Sequence, residues 1–517
     1  MKKHSLIKGT FILGIAGVCA KFLGLFFRWP LIMLIGDEGV GYYQMAYPLY
    51  LFFIAVSSGI PVAISKMVSE KNAIGDNEGI IQVFRKSLIL MIFIGGGFTA
   101  IILILSKFIV RIFNWDYKSY YSLLGISIAP VFISIMSTFR GFFQGMQNMT
   151  PTAVSQIIEQ LGRVIIGIGL VIVLLPKGIE FAAGGASLGA TAGAVLGNIY
   201  LYSKYKSVKS ELNVKIVKDD LDILSKLIYI SIPISLGATV SSIMSLIDSA
   251  LVPGKLVQGG LSYKEAAILY GQLTGKAFVL INVPLTVSMA LCTSIVPIIA
   301  EYYILNRRND LVHKVNQAIK FSTVISIPSF IGLFFLSKPI MSLLFIGNYE
   351  GFKILKYLSI SIPFIALCQT FTSILQGIGI YVIPVINLLI GCVAKFFITR
   401  SLVPIENINV YGAVIGTILG YSISTILNII CVKRMLKVKI EYKKVILKPL
   451  LASFIMIFGV IISYNIIYKI TLKNSISCLI SILFGIIIYS ILVMMLNIFE
   501  YRHVKNKIYR YKRREKV

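Results

Sequence analysis

Long apolar segments recur from one end of the chain to the other, and short polar loops separate them. A helix of about 20 apolar residues is long enough to cross the hydrocarbon core of a bilayer. The pattern therefore predicts an all-α polytopic membrane protein with about 14 transmembrane helices. The predicted spans are residues 9–35, 42–65, 87–106, 120–139, 154–175, 182–202, 227–250, 267–300, 321–336, 357–377, 380–402, 409–432, 449–468 and 474–498.

Composition supports this class, because 57% of the 517 residues are hydrophobic and only 14% are charged. The formal net charge is +29, but the 50 Lys and Arg residues follow the loops. Both termini and every second loop hold 33 of them, the other loops hold 11, and six lie within spans. The positive-inside rule then predicts that both termini are cytoplasmic. The basic runs favour contact with anionic membrane lipids over binding of nucleic acid.

An internal repeat divides the chain. Ser127 to Pro130, followed by Gln144 and Gly145, has a counterpart in Ser361 to Pro363, followed by Gln376 and Gly377. Six spans in each half give both halves the same orientation, as in transporters with parallel repeats. The predicted parts are an N-terminal six-helix lobe (1–205), a basic linker (206–226), a C-terminal six-helix lobe (227–432), a basic loop (433–448), two extra helices (449–498) and a basic tail (499–517).

Charged residues inside the spans are the candidate site. A charge that faces hydrocarbon costs several kcal/mol, so such residues normally point into a protein interior or a watered cavity. Lys21 and Arg28 are seven residues apart in the first span and share a helix face. The other candidates for substrate binding are Lys276, Lys395 and Arg163.

Two carboxylates accompany these cations. Glu159 precedes Arg163 by four residues, which favours a neutralised structural pair on one helix. Lys395 has no carboxylate at that spacing, which favours a role toward a ligand. Asp248 either binds a coupling cation or pairs with a cation on another helix. Since six cations, including Arg400, face two carboxylates, the balance predicts an anionic substrate such as a diphosphate.

Catalytic chemistry is not predicted. The three histidines lie in cytoplasmic flanks, and the six cysteines lie within spans without a CxxC spacing. The sequence has no Walker motif and no nucleophile elbow. We therefore expect a protein that is not an enzyme and has no cofactor or metal site. Transport would be coupled to a monovalent cation or to the membrane potential.

Two stretches resemble a known family. The run RGFFQGMQNMTPTAVSQIIEQLGRV, from Arg140 to Val164, resembles the signature of the stage V sporulation protein B and polysaccharide transporter group. That group belongs to the multidrug/oligosaccharidyl-lipid/polysaccharide exporter superfamily. The first-span run AKFLGLFFRWPLIMLIG is similar to the corresponding helix of MurJ-type lipid II flippases.

The resemblance implies two six-helix lobes around a cavity, with two further helices that form a groove for a lipid tail. It implies that Lys21, Arg28 and Lys276 match cationic residues of the family's first and eighth helices. The family more often has arginine where this chain has Lys21 and Lys276, so single-point charge attraction replaces bidentate phosphate binding there.

The function expected from the charges and the resemblance is a flippase of the bacterial plasma membrane. Its substrate would be an undecaprenyl-diphosphate-linked saccharide, with lipid II as the best match, moved from the inner to the outer leaflet by alternating access. Peptidoglycan synthesis, cell shape, sporulation and contact with cell-wall synthases follow from the resemblance alone. Three alternatives stay open: an exporter of lipid-linked polysaccharide of the O-antigen or teichoic type, a cation-coupled multidrug antiporter, and a non-transporting scaffold of a cell-wall synthesis complex.

Overall fold

A computed structural model describes residues 6–212, 222–438 and 440–498, and within these ranges the chain is helical without a strand. Its α-helices are α1 (Leu6–Ser57), α2 (Gly59–Ala73), α3 (Asn77–Ile112), α4 (Ser119–Ser127), α5 (Ala129–Gly145), α6 (Met149–Leu174), α7 (Ile179–Leu212), α8 (Asp222–Gln258), α9 (Tyr263–Gly271), α10 (Phe278–Ile304), α11 (Arg308–Phe335), α12 (Ser337–Leu344), α13 (Phe352–Leu358), α14 (Ser361–Gly377), α15 (Val382–Leu402), α16 (Tyr411–Leu436), α17 (Lys448–Thr471) and α18 (Asn474–Met495). The predicted fold class is confirmed.

The number of membrane crossings in the structure depends on how broken helices are counted. Among the described residues, twelve helical runs are long and apolar enough to cross a membrane, or thirteen when α13 and α14, bent by 43°, form one span. The first run, Ile12–Ala73, has 62 residues, about three times what one crossing needs. When this run is counted as two crossings, and α13 with α14 as one, the total is the fourteen that hydropathy predicts.

Gly36 breaks that first run. Its backbone dihedrals of φ 62° and ψ −172° lie outside the helical region, although the residues on both sides are helical. A glycine adopts such a φ at little cost because it has no Cβ. The break turns the chain and allows the segment before Gly36 to contact the segment after it.

Glycines also set the packing between α6 and α7. A Cβ added at Gly193 of α7 would collide with the carbonyl oxygen of Glu159, and one added at Gly189 would lie 3.0 Å from the carbonyl oxygen of Arg163. Small residues allow helix backbones in a membrane to approach closely. This close approach helps to bury Glu159 and Arg163, each of which is 8% exposed.

The described chain packs as two units. The first contains Met1–Gly275 and Phe396–Ala413, and the second contains Lys276–Lys395 and Val414–Val517. In the second unit, Ile327 and Ile331 of α11 share an apolar core with Met456 of α17 and Tyr489 of α18. The boundaries of the six-helix lobes stay a prediction. Parts of the basic linker, at 213–221, and the basic tail, at 499–517, lie outside the described residues.

Candidate substrate-binding site

Arg28, on the first segment of α1, is a half-buried cation held by neutral groups. Its Nη1 donates to the carbonyl oxygen of Thr274 at 3.3 Å, and its Cζ lies 5.8 Å from the centroid of the Tyr47 ring. In the described part of the chain, no carboxylate lies within ion-pair distance of Arg28. Carbonyl and aromatic groups orient a guanidinium without cancelling its charge, so these contacts do not neutralise Arg28.

Tyr47 connects Arg28 with a second predicted cation. Arg163 Nη1 lies 3.5 Å from the Tyr47 hydroxyl, and Arg163 Nη2 donates to the Tyr50 hydroxyl at 2.9 Å. Tyr43 stacks on Tyr47 with ring centroids 5.3 Å apart. The structure thus brings together Arg28 and Arg163, which hydropathy places on different spans. The spacing of Tyr43, Tyr47 and Tyr50 on one helix face was the available signal, but it was not used to predict this contact.

Glu159 lies between two arginines. The predicted pair is present, with Arg163 Nη2 3.4 Å from Glu159 Oε1, and Arg140 Nη2 lies 3.0 Å from Glu159 Oε2. Arg140 Nε also donates to Ser155 Oγ at 2.9 Å. One carboxylate between two guanidinium groups leaves the cluster with a net charge of about +1. Arg140 belongs to α5, whereas Glu159 and Arg163 belong to α6. The spacing of residues along α6 therefore could not predict that Arg140 joins the cluster.

Arg163 keeps one donor unused. The residue is 8% exposed, and its buried Nε has no hydrogen-bond partner among residues 6–212, 222–438 and 440–498. A buried donor without an acceptor costs about 1–3 kcal/mol, which a bound acceptor would recover. Arg163 is therefore a member of a structural ion pair that also has one unsatisfied buried donor.

Lys276 of the second unit is fully buried, with 0% of its surface exposed. It belongs to a π-helical turn, Gln272–Ala277, and such turns often occur at functional sites. Its Nζ donates to the carbonyl oxygen of Asn348 at 2.8 Å, to Asn348 Oδ1 at 2.9 Å and to the carbonyl oxygen of Glu350 at 3.4 Å. The ammonium is thus bound by a loop.

Lys395 and Asp248 are two further buried candidates. Lys395 of α15 is 1% exposed, near a close approach of α15 and α16 where a Cβ added at Gly391 would collide with the carbonyl oxygen of Gly420. Asp248 of α8 is 2% exposed. Lys21 lies on α1, but its side chain is outside the described part of the structure. Within the described residues, no three His, Cys, Asp or Glu side chains group closely enough to hold a metal ion.

Comparison with known proteins gives the family. The model of the family described as "Polysaccharide biosynthesis protein" matches residues 6–303, more than half of the chain. The chain belongs to the polysaccharide biosynthesis protein family. This confirms the family relationship that the run from Arg140 to Val164 predicted. A second family model, MatE, matches residues 274–399.

Two relatives of known name align with most of the length of this chain. Stage V sporulation protein B of Bacillus subtilis (strain 168) is 29% identical over 455 residues, which are 86% of each chain. Lipid II flippase MurJ of the same organism is 28% identical over 485 residues, 87% of this chain and 86% of the relative. The solved structure of lipid II flippase MurJ in an inward closed conformation aligns with a TM-score of 0.69 and 19% identity, covering 94% of this chain and 99% of that one. The family member is thus a multi-pass membrane protein with the fold of that flippase.

Proposed function

We propose that this protein is a flippase that moves an undecaprenyl-diphosphate-linked saccharide, with lipid II as the preferred substrate, from the inner to the outer leaflet by alternating access. The observation that carries the proposal is Arg28, whose guanidinium is bound by a ring and a carbonyl oxygen but by no carboxylate of the described residues. A cation left without a counterion inside an apolar segment is stabilised by an anionic ligand. The family and the two Bacillus relatives support a lipid-linked saccharide as that ligand.

Each candidate residue has a chemical role in this proposal. Arg28 would bind the diphosphate in a bidentate manner, while Lys21, Lys276 and Lys395 would supply single-point charge attraction. Arg163 would fix Tyr47 and offer its buried Nε to a ligand oxygen. The polyprenyl tail would stay in the lipid or along α17 and α18, which expose many large apolar side chains.

We also propose the membrane, the orientation and the energy source of transport. The positive-inside pattern supports a bacterial plasma-membrane protein with both termini in the cytoplasm. Coupling to a monovalent cation, with Asp248 as the candidate ion site, or to the membrane potential would drive the cycle. Contacts with cell-wall synthases, and roles in peptidoglycan synthesis, cell shape and sporulation, are extensions supported by the named relatives. No catalytic step is required.

A second candidate is a cation-coupled multidrug antiporter, which the MatE match at residues 274–399 favours. A carrier of cationic drugs needs intramembrane carboxylates that are not neutralised. Glu159 does not meet this need, because two arginines hold it, which leaves Asp248 as the one other carboxylate among the predicted intramembrane charges. The cation excess therefore supports the flippase over the antiporter.

The test is rescue of a bacterium depleted of its own lipid II flippases. Wild type should restore growth and Arg28→Ala should not, at equal amounts of membrane-inserted protein. Arg400→Ala is the matched control, because Arg400 is an exposed cation at the end of α15 and its loss should leave rescue intact. Failure of well-expressed wild type would overturn lipid II as substrate and favour another lipid-linked glycan. If a variant that lacks transport activity in vesicles still restores growth, the result would favour a non-transporting scaffold.

A further inference from the structure

The loop between α12 and α13 encloses the ammonium of Lys276. Three oxygen atoms of Asn348 and Glu350 accept hydrogen bonds from Lys276 Nζ, and the Phe345 ring centroid lies 5.4 Å from the same atom. Phe345 is itself buried, at 4% exposure. A fully buried cation thus contacts both polar and aromatic groups of one short loop.

The backbone of this loop has a defined shape. Gly347 and Gly351 have φ values of 76° and 88°, which a residue with a Cβ rarely adopts. Asn348 N donates to the carbonyl oxygen of Phe345 at 3.0 Å. Lys338 Nζ lies 5.7 Å from the centroid of the Tyr349 ring, which gives the loop a further contact with α12. The two glycines therefore turn the main chain so that its carbonyl oxygens converge on the Lys276 ammonium.

The chemistry of these contacts permits exchange with a phosphate. An ammonium can donate hydrogen bonds but cannot accept them, and three oxygens of the loop lie within hydrogen-bond distance of the Lys276 Nζ. Because Lys276 is fully buried, a phosphate oxygen can bind its ammonium only when the loop gives up part of this contact. The loop oxygens are neutral, so a charged phosphate binds an ammonium more strongly than they do, whereas a carboxylate would compete on equal terms.

We propose that the Phe345–Gly351 loop is a lid that competes with the substrate diphosphate for Lys276. Without substrate, Asn348 and Glu350 keep the ammonium buried. When a diphosphate takes the ammonium, the loop loses its contacts and opens, so that occupation of the site is linked to movement of the loop. Asn348 is then a positioning residue for transport. This inference rests on the proposed function only in taking a diphosphate as the ligand.

The first measurement tests the contact itself without any substrate. The full chain in nanodiscs is treated with an amine-reactive reagent, and labelling is located by mass spectrometry. Lys338, an exposed lysine near the loop, is the internal reference. Lys276 should react far more slowly than Lys338 in wild type and several-fold faster in Asn348→Ala, while Asn348→Asp should keep it protected. Equal labelling of Lys276 in all three proteins would overturn the lid.

The second measurement tests competition, with undecaprenyl diphosphate as the probe in the same nanodiscs. Asn348→Ala should bind the probe several-fold more tightly than wild type, and Asn348→Asp should bind it several-fold more weakly. Both differences should disappear when Lys276→Met is the background. Differences that persist without Lys276, or equal affinity of the three proteins, would overturn the proposal. A wild type that does not bind the probe while the labelling result holds would refute the diphosphate as ligand, and with it the competition, but not the loop contact.

Discussion

Arg28 lies over the ring of Tyr47, with its guanidinium carbon 5.8 Å from the ring centroid. Both residues belong to α1, and the contact exists because the helix breaks at Gly36 between them. The same tyrosine hydroxyl lies 3.5 Å from Arg163 Nη1. One aromatic side chain thus orients two cations that the sequence places on separate spans.

Removal of this ring should impair transport. A cation–π contact contributes about 0.5–2 kcal/mol, so Tyr47→Leu should lower the transport rate by a factor of about 2 to 30. Tyr47→Phe keeps the ring under Arg28 and loses the hydroxyl, whose contact with Arg163 Nη1 is a long one of 3.5 Å, so its rate should stay much closer to that of wild type than the rate of Tyr47→Leu. Rates are compared in proteoliposomes at equal protein content. A Leu variant as active as the Phe variant would show that the ring does not position Arg28.

Loss of the Glu159 charge should destabilise the fold. Glu159→Gln leaves Arg140 and Arg163 without their shared carboxylate, and removing one partner of a buried ion pair costs about 3–5 kcal/mol. Glu70→Gln is the matched control, because Glu70 pairs with Lys226 at 2.9 Å on the surface. The control should change the free energy of unfolding by about 1 kcal/mol or less. Unfolding in mixed micelles measures both, and equal effects would contradict a structural role for Glu159.

The contact between α1 and α9 at Gly41 should leave no room for a methyl group. A Cβ added at Gly41 would collide with the carbonyl oxygen of Ala267. Gly41→Ala should therefore cost about 1–3 kcal/mol of stability, as overpacking usually does. Gly97 of α3 has nothing within 4 Å of an added Cβ, so Gly97→Ala should stay within about 1 kcal/mol of wild type. Thermal unfolding in detergent compares the two, and an unchanged Gly41→Ala melting temperature would contradict the close packing.

Asp76, in the loop before α3, should make stability depend on pH in a predictable direction. Hydrogen bonds from Lys71 Nζ and from the backbone N–H of Gly79, each 2.8 Å long, lower the pKa of Asp76 below its ordinary value. A lowered folded-state pKa contributes stability above the unfolded pKa, and that contribution is lost as pH falls through the folded pKa. Asp76 is about one-third exposed, so the contribution at pH 7 should be below about 1 kcal/mol.

The measurement compares wild type with Asp76→Asn, which keeps an N-cap side chain and removes the charge. Wild type should be slightly more stable at pH 7, and the difference should shrink below about pH 4 and vanish once Asp76 is protonated in both states. A difference in unfolding free energy that is independent of pH would show that the charge of Asp76 contributes nothing.

Hydropathy predicted the fold class and the motif from Arg140 to Val164 predicted the family, and both predictions are confirmed. The reason is that membrane crossing depends on the length and polarity of a continuous segment, which is a local property. The Glu159–Arg163 pair was predictable for the same reason, since residues four apart on a helix always lie on one face. The substrate-binding roles of Lys21, Arg28, Lys276, Lys395 and Arg163, and the ion site at Asp248, stay predictions.

Tertiary packing decided the environment of each candidate cation. Arg140 reaches Glu159 from another helix, Tyr47 meets Arg28 only across the break at Gly36, and Asn348 reaches Lys276 from a distant loop. Spacing along one helix cannot reveal such partners, because they depend on which helices pack together and at what distance. The sequence alone determined that buried cations exist in an apolar chain. Only the packing of the helices determined that a carboxylate neutralises one of them, a tyrosine orients another and a loop encloses a third.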